Sequence, residues 1–193
     1  MDLIETESNQ VSKIMTIASS SHLKIELFKS IGANDYSTFI KISEALLDDY
    51  GKRAVLTHKS IEKYFNKKGS IPFVARYHNK IIGYIIGIPI ESLALEPWAR
   101  TDPNFNNFNT LYTYAFVLKK EFHNKFHNNG YAKMLKRVYL NWAKNSDDIK
   151  FVTGHVKEGI SNKFIGDIKI VNTINNWQGT GKKFEYYRRR LKK

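Results

Sequence analysis

Leu111-Tyr-Thr-Tyr-Ala-Phe-Val-Leu118 and, beyond a polar loop, His127-Asn-Asn-Gly-Tyr-Ala132 decide how this chain is read. The first run is apolar and aromatic, as a strand should be. The second holds Gly130 and opens an amphipathic helix pattern. Tyr131, Leu135, Val138 and Trp142 fall along one face of it, and Lys133, Lys136, Arg137 and Lys144 mostly on the other. A strand, a glycine turn and a helix N-terminus gather free backbone N–H groups at one point. The aligned peptide dipoles add about half a positive charge there. The segment therefore reads as a cradle for a phosphate-bearing ligand.

Upstream, Ile71–Tyr77 and Lys80–Ile88 flank His78-Asn79 and form a hairpin signature, since Asn tolerates the positive φ of a tight turn. Pro72 belongs at a strand start or an edge, and Gly83 at a bulge or a close backbone approach. His22–Ser30 alternates as a half-buried strand. Asn34 or Asp35 caps a helix carrying Phe39, Ile42, Leu46 and Leu47, with Gly51 after its end. A short helix covers Lys59–Asn66 with Ile61, Tyr64 and Phe65 inward. Glu91–Asn109 is a long connection of the kind that forms lids or binding loops. Downstream come a strand at Lys150–Lys157, a short helix at Glu158–Ile165, and a closing hairpin of Ile168–Trp177 with Lys182–Leu191. The order β-α-α-β-β-β-α-β-α-β-β predicts an α/β (α+β) protein with a mixed, mostly antiparallel sheet of about seven strands flanked by helices.

With 193 residues, 42% hydrophobic and 13% aromatic, the chain suits one domain with a packed core. We expect that domain to span residues 22–193 behind a loosely held N-terminal arm, residues 1–21. Ile81–Ile90 is too short to cross a bilayer, so no membrane is expected as a partner. The acidic N-terminus lacks the order of a signal peptide. The absence of cysteine excludes disulfides, thiolate metal sites and a Cys nucleophile. These features predict a soluble cytoplasmic protein, monomer or homodimer. A net charge of +13 has two readings: attraction to an anionic partner such as nucleic acid, or a Lys-rich solubilising surface. Only Tyr186-Tyr-Arg-Arg-Arg-Leu-Lys-Lys193 is densely basic.

The element order, with a phosphate-type turn after the fourth strand, resembles the GNAT superfamily of N-acetyltransferases over residues 22–191. That family's acetyl-CoA loop reads Gln or Arg, two residues of any kind, Gly, any residue, then Gly or Ala. Here it is matched by His127-Asn128-Asn129-Gly130-Tyr131-Ala132, with His127 departing from Gln or Arg. The resemblance implies a GNAT-like acyl-CoA N-acyltransferase fold, acetyl-CoA as cosubstrate, a primary amine as acceptor and no metal. It also implies a cleft where the fourth and fifth strands splay, with Phe116, Val117 and Leu118 pairing the pantetheine. The amides from His127 through Asn128, Asn129, Gly130 and Tyr131 to Ala132 would hold the pyrophosphate, and Asn162 would lie near the pantetheine arm. Two departures accompany it: a longer linker between Leu118 and His127, and no tyrosine in the helix expected after the Lys150 strand.

Direct attack of an amine on a thioester needs a deprotonated amine, a polarised carbonyl and a proton for the leaving thiolate. Glu121 and Glu158, through water, and His155 are candidate bases. Tyr112, Tyr114, Tyr186 and Tyr187 are candidate acids. Each has a plain structural alternative: a solvated charge, a satisfied strand histidine, a core or cleft-wall ring. Trp98 and Phe105 are candidates to line an acceptor pocket, and the basic tail to clamp the 3′-phosphate. Among the six histidines no i,i+4 helical pair occurs, and His123 with His127 in a polar loop is not expected to bind metal. Two rival functions remain: a basic nucleic-acid-binding module, and a non-catalytic CoA-binding protein of GNAT type.

Overall fold

A computed structural model describes residues 10–123 and 130–191. The strands are β1 (Lys13–Ser19), β2 (Leu23–Ser30), β3 (Ile71–Tyr77), β4 (Lys80–Pro89), β5 (Thr110–Leu118), β6 (Phe151–Lys157), β7 (Asp167–Ile174) and β8 (Phe184–Arg190). The α-helices are α1 (Ala33–Ser43), α2 (Leu47–Tyr50), α3 (His58–Tyr64), α4 (Pro97–Arg100) and α5 (Tyr131–Asn145). All eight strands join one sheet in the order β1-β2-β3-β4-β5-β6-β8-β7. Every neighbouring pair is antiparallel except β5 with β6, which is parallel.

Helices cover both faces. On one, Phe39 and Ile42 of α1 and Ile61 of α3 pack with Phe65 on Val74, Tyr84, Ile86 and Val117. On the other, Leu135, Tyr139 and Ala143 of α5 pack on Phe73, Ile85, Leu111 and Val152. Because β4 is covered on both sides, it reads as a continuous apolar run and not as an alternation. Each fully buried Ile or Phe here contributes roughly 1.5–3 kcal/mol.

Local chemistry explains the connections. His78 and Asn79 both take positive φ, 42° and 64°, as a two-residue hairpin turn with the twist of its strands requires. A Cβ on Gly83 would lie 2.5 Å from the Val117 carbonyl oxygen, so only glycine lets β4 and β5 approach there. Pro72 sits beyond the last β2–β3 pair, Leu27 with Phe73, where no ladder hydrogen bond is forfeited. Thr57 and Ser60 form a capping box on α3.

Three expectations are corrected. Residues 1–21 were read as a loose arm, but Lys13–Ser19 is an edge strand paired with β2. Met15 and Ile17 pack on the α5 face of the core, an apolar pair too short to register as periodicity. The first helix is not capped by Asn34 or Asp35. Gly32 holds the N-cap position, its N–H donates to Ser12 Oγ at 2.9 Å, and Ser12 donates to Asp35 at 2.6 Å. A distant serine has taken over the local cap. Glu158–Ile165 is a turn with a single 3-10 turn at Ser161–Lys163. Buried Glu185 accepts hydrogen bonds from the Gly159 N–H and the Ser161 hydroxyl, drawing the local donors to β8 in place of a helix. The basic run from Tyr186 lies, as the closing hairpin predicts, on strand β8, which is an inner strand with Tyr186 and Tyr187 buried. Among the described residues no helix is long and apolar enough to cross a membrane.

Candidate active site

β5 is paired along its length on one edge and only briefly on the other. Toward β4 the ladder runs from Leu111 with Pro89 to Leu118 with Gly83. Toward β6 it holds Thr110 with Phe151, Leu111 with Val152 and Tyr112 with Thr153, and then stops. A bulge marks the point of divergence: Gly87 faces Thr113 and Ile86 faces Ala115, leaving Tyr114 as the extra residue. Tyr114 and Ala115 therefore both turn to the α1/α3 side, while Phe116 packs on the α5 side. A bulge bends its strand and sharpens the twist, which carries β5 away from β6.

The splay opens a cavity of about 270 Å³ that passes between the strands. Tyr50, Tyr64 and Trp98 line its α1/α3 side, and Lys136, Tyr139 and Phe164 its α5 side. Thr113, Phe116, Gly154 and His155 form the strand walls. The N-terminus of α5 follows Gly130, which adopts φ 63°, ψ 21° and carries no side-chain cap. Among the described residues, nothing lies within 4 Å of the place a Cβ on Gly130 would take. The first amides of a helix have no intrahelical partner and suit an anion.

His127, Asn128 and Asn129 lie outside the described residues. Tyr131 and Ala132 are half-buried in the first turn of α5, where they join the core. Phe116 lines the cavity; Val117 and Leu118 are buried on opposite faces of β5. Leu118 carbonyl oxygen accepts from His123 Nε2 at 3.0 Å. Asn162 is exposed on the 3-10 turn and is not a cavity wall, whereas Phe164 just after it is.

His155 and Tyr187 stand in the cavity wall; Glu121 and Glu158 do not. His155 is buried between the rings of Trp177, at 4.0 Å, and Tyr186, at 4.8 Å, with Trp98 edge-on. Its Nδ1 lies 2.9 Å from the Tyr112 hydroxyl, and its buried Nε2 has no partner. Burial holds its pKa down to about 3, so the ring is neutral. Burial also raises the Tyr187 hydroxyl above its usual range and keeps it protonated. Tyr186 is committed elsewhere: it donates to Asp102 at 2.6 Å, and Arg188 donates to the same carboxylate at 2.9 Å. Tyr112 and Tyr114 are buried or half-buried rings of the α1/α3 side, Tyr114 lying 4.7 Å from Tyr64. Glu121 is exposed in the turn Lys120–Phe122, and Glu158 is an exposed partner of Lys183. Trp98 lines the cavity as expected, while Phe105 packs under the loop. Among the described residues no cluster of His, Asp and Glu stands ready to hold a metal.

Sequence reasoning passed over Tyr139 and Phe164, and read Lys136 only as part of a polar helix face and Trp177 only as the end of a hairpin strand, though all four line the cavity. The i,i+4 spacing of Leu135, Tyr139 and Ala143 was the available signal for the first. It puts Tyr139 at the centre of the buried face of α5 and turns Lys136 toward the cavity.

No protein-family model matches this sequence, and no curated protein sequence does either. Solved structures do resemble the fold. A GNAT family acetyltransferase from Elizabethkingia anophelis, with acetyl-CoA bound, superposes with a TM-score of 0.55 at 16% identity over 89% of this chain and 100% of its own. RimL, a ribosomal L7/L12 alpha-N-protein acetyltransferase in complex with coenzyme A, gives 0.59 at 13% identity, covering 92% and 98%. NAA60 of Arabidopsis thaliana, in complex with a bisubstrate analogue, gives 0.60 at 9% identity, covering 87% and 97%. Identities this low speak for architecture alone, and by architecture this chain has the fold of the GNAT acetyltransferases.

Proposed function

We propose that this protein is an N-acetyltransferase that moves an acetyl group from acetyl-CoA to a primary amine by direct attack in a ternary complex. The observation that carries this reading is the β5–β6 splay, which sets an open strand edge beside a cavity walled in part by Lys136, Tyr139 and Leu140 of α5, the helix that follows Gly130. From Thr113 onward the β5 edge has no strand partner on its β6 side, leaving backbone groups free for the amides of a pantetheine arm. The amides after Gly130 suit the pyrophosphate, because among the described residues no side chain caps them and none crowds Gly130. The thioester, when bound, supplies the acetyl group. The neutral His155, with its unpartnered Nε2, serves best as a hydrogen-bond acceptor or donor that orients the amine or a water. Tyr187, held protonated, serves as a hydrogen-bond donor to the charge that develops on the leaving sulfur. The aromatic walls Tyr64, Trp98 and Tyr114 suit an amine carried on an apolar body. We assign the reaction to the cytoplasm, where a cysteine-free chain needs nothing from an oxidising compartment.

A thermal-shift titration with acetyl-CoA, CoA and a random DNA duplex at low and moderate salt tests the reading. A saturable rise with the CoA compounds that survives moderate salt supports it, since a ligand specific to the native state must stabilise that state. Stabilisation by DNA alone, fading with salt, would replace it with nucleic-acid binding. Thiol release in an amine screen then separates turnover from binding without catalysis.

A further inference from the structure

Two cations in the cavity wall, Arg53 and Lys136, have no part in the chemistry above. Among the described residues of the lining, Lys136 alone is a lysine and so alone carries an amine. It stands on α5 with Tyr139 and Leu140, in a wall that also includes Thr113 and Phe116 of β5. Its Nζ lies 3.6 Å from the centre of the Phe164 ring. Among the described residues no carboxylate pairs with it, in contrast to Lys157 and Lys182, which share Asp49, and Lys183, which meets Glu158. The charged group nearest in effect is itself a cation, Arg189 of β8, whose guanidinium approaches the same Phe164 ring at 5.7 Å.

We infer that Lys136 is a self-acetylation site, its Nζ taking the acetyl group of acetyl-CoA held in the cavity. This rests on the acetyl-CoA reading given above. In the step, the neutral Nζ lone pair attacks the thioester carbonyl carbon. A C–N bond forms and the C–S bond breaks. The sulfur leaves with the bonding pair and takes up the proton that the new amide nitrogen gives up. The product is an acetyl-lysine and free CoA thiol, with no oxidant or further reactant needed.

Two features favour the step. Burial and then Arg189 bring the Lys136 pKa down to about 8, so roughly a tenth of the amine is neutral at pH 7, far more than for a lysine at its ordinary value. The other titratable groups beside it, Tyr139 on its own helix and Tyr187 on β8, are held protonated by burial and offer no negative charge to reverse this. Acetylation also replaces an ammonium that opposes Arg189 by a neutral amide, which suits a half-buried aromatic wall better.

Peptide mapping by mass spectrometry after incubating the full chain with acetyl-CoA tests the inference, alongside limiting N-hydroxysuccinimidyl acetate as a CoA-free probe. Both reagents should label Lys136 first, on the order of 100-fold faster than surface lysines at neutral pH, because the neutral fraction sets amine reactivity and the two pKa values differ by about two units. The labelling rate should rise through a midpoint near pH 8. Lys136→Met should lose that label with melting unchanged. Lys136→Arg repeats the control should the methionine variant fold poorly. If CoA stabilises the protein but Lys136 is labelled no faster than surface lysines, the inference falls and the acetyltransferase reading stands. If CoA does not stabilise the protein at all, both fall.

Discussion

The two sides of the β5–β6 seam are held together by different means. From β1 to β5, antiparallel ladders run strand to strand and α1, α3 and α5 cover both faces. β6, β8 and β7 form an antiparallel group of their own, and join the rest through the short parallel ladder at Thr110–Tyr112. Side chains bridge what backbone does not. Asp102, on the connection before β5, reaches Tyr186 and Arg188 of β8; Asp49 of α2 meets Lys157 at 2.8 Å and Lys182 at 3.5 Å; Tyr112 meets His155. A sheet that withholds hydrogen bonds at its centre gains a cleft, and must then be tied across it by polar contacts.

If those ties hold the two groups together, cutting the most buried one should have the largest effect. Asp102 has a fully buried side chain, and its partner Arg188 is mostly buried. Asp102→Ala leaves that cation unpaired and should cost about 3 kcal/mol of unfolding free energy. Denaturant melts check this, and a loss below about 1 kcal/mol would show that the bridge is not what holds the seam. Gly130→Glu probes the cleft itself. A side chain at φ 63° costs only about 1 kcal/mol of stability, yet it places bulk and negative charge beside the open amides. CoA affinity, measured calorimetrically, should fall by at least ~100-fold, about 2.7 kcal/mol; unchanged affinity would remove the ligand from this end of α5.

Legibility in the sequence follows the same divide. The strand Leu111–Leu118, the His78-Asn79 hairpin and the helix after Gly130 were readable because each is fixed by its own residues: side-chain type, turn propensity, helical period. The bulge at Tyr114 was not, since it depends on how β5 registers against β4, and register is a property of two strands. Asp102 reads as an ordinary loop acid until β8 is placed opposite it. Lys136 reads as a solvent-facing lysine until packing fixes which way α5 turns. Of the residues named as candidate bases and acids, His155 and Tyr187 line the cavity, while Glu121 and Glu158 lie away from it. The loop motif, His127 to Asn129, lies outside the described residues.

The Tyr112–His155 tie carries a pH signature that the ladder side of the sheet lacks. In the unfolded chain a histidine has its ordinary pKa of 6.5; folded, His155 is held to about 3. Between these values the unfolded state binds a proton that the folded state refuses, so stability falls as pH falls through that window. From pH 7 to pH 5 this group should cost about 2 kcal/mol. His155→Gln should flatten that slope in melts at pH 5, 6 and 7; an unchanged slope would mean the ring is accessible to protons when folded.

The smallest effect separates the two kinds of contact on the cleft side. Lys183 and Glu158 form an ion pair near the β6–β8 end, but both side chains are about half exposed, at 46% and 54%. Water screens such a pair, and holding two long side chains together costs entropy, so its net contribution is within about 0.5 kcal/mol. Glu158 also stands outside the cavity wall. Glu158→Gln should therefore leave both the melt and the rate of acetyl transfer close to those of the parent protein. A rate loss of about 100-fold or more, the low end of what a general base contributes to a reaction, would return Glu158 to the chemistry. It would require the β6–β7 turn to close over the cavity when substrate binds, and the seam would then be a moving part as well as an opening.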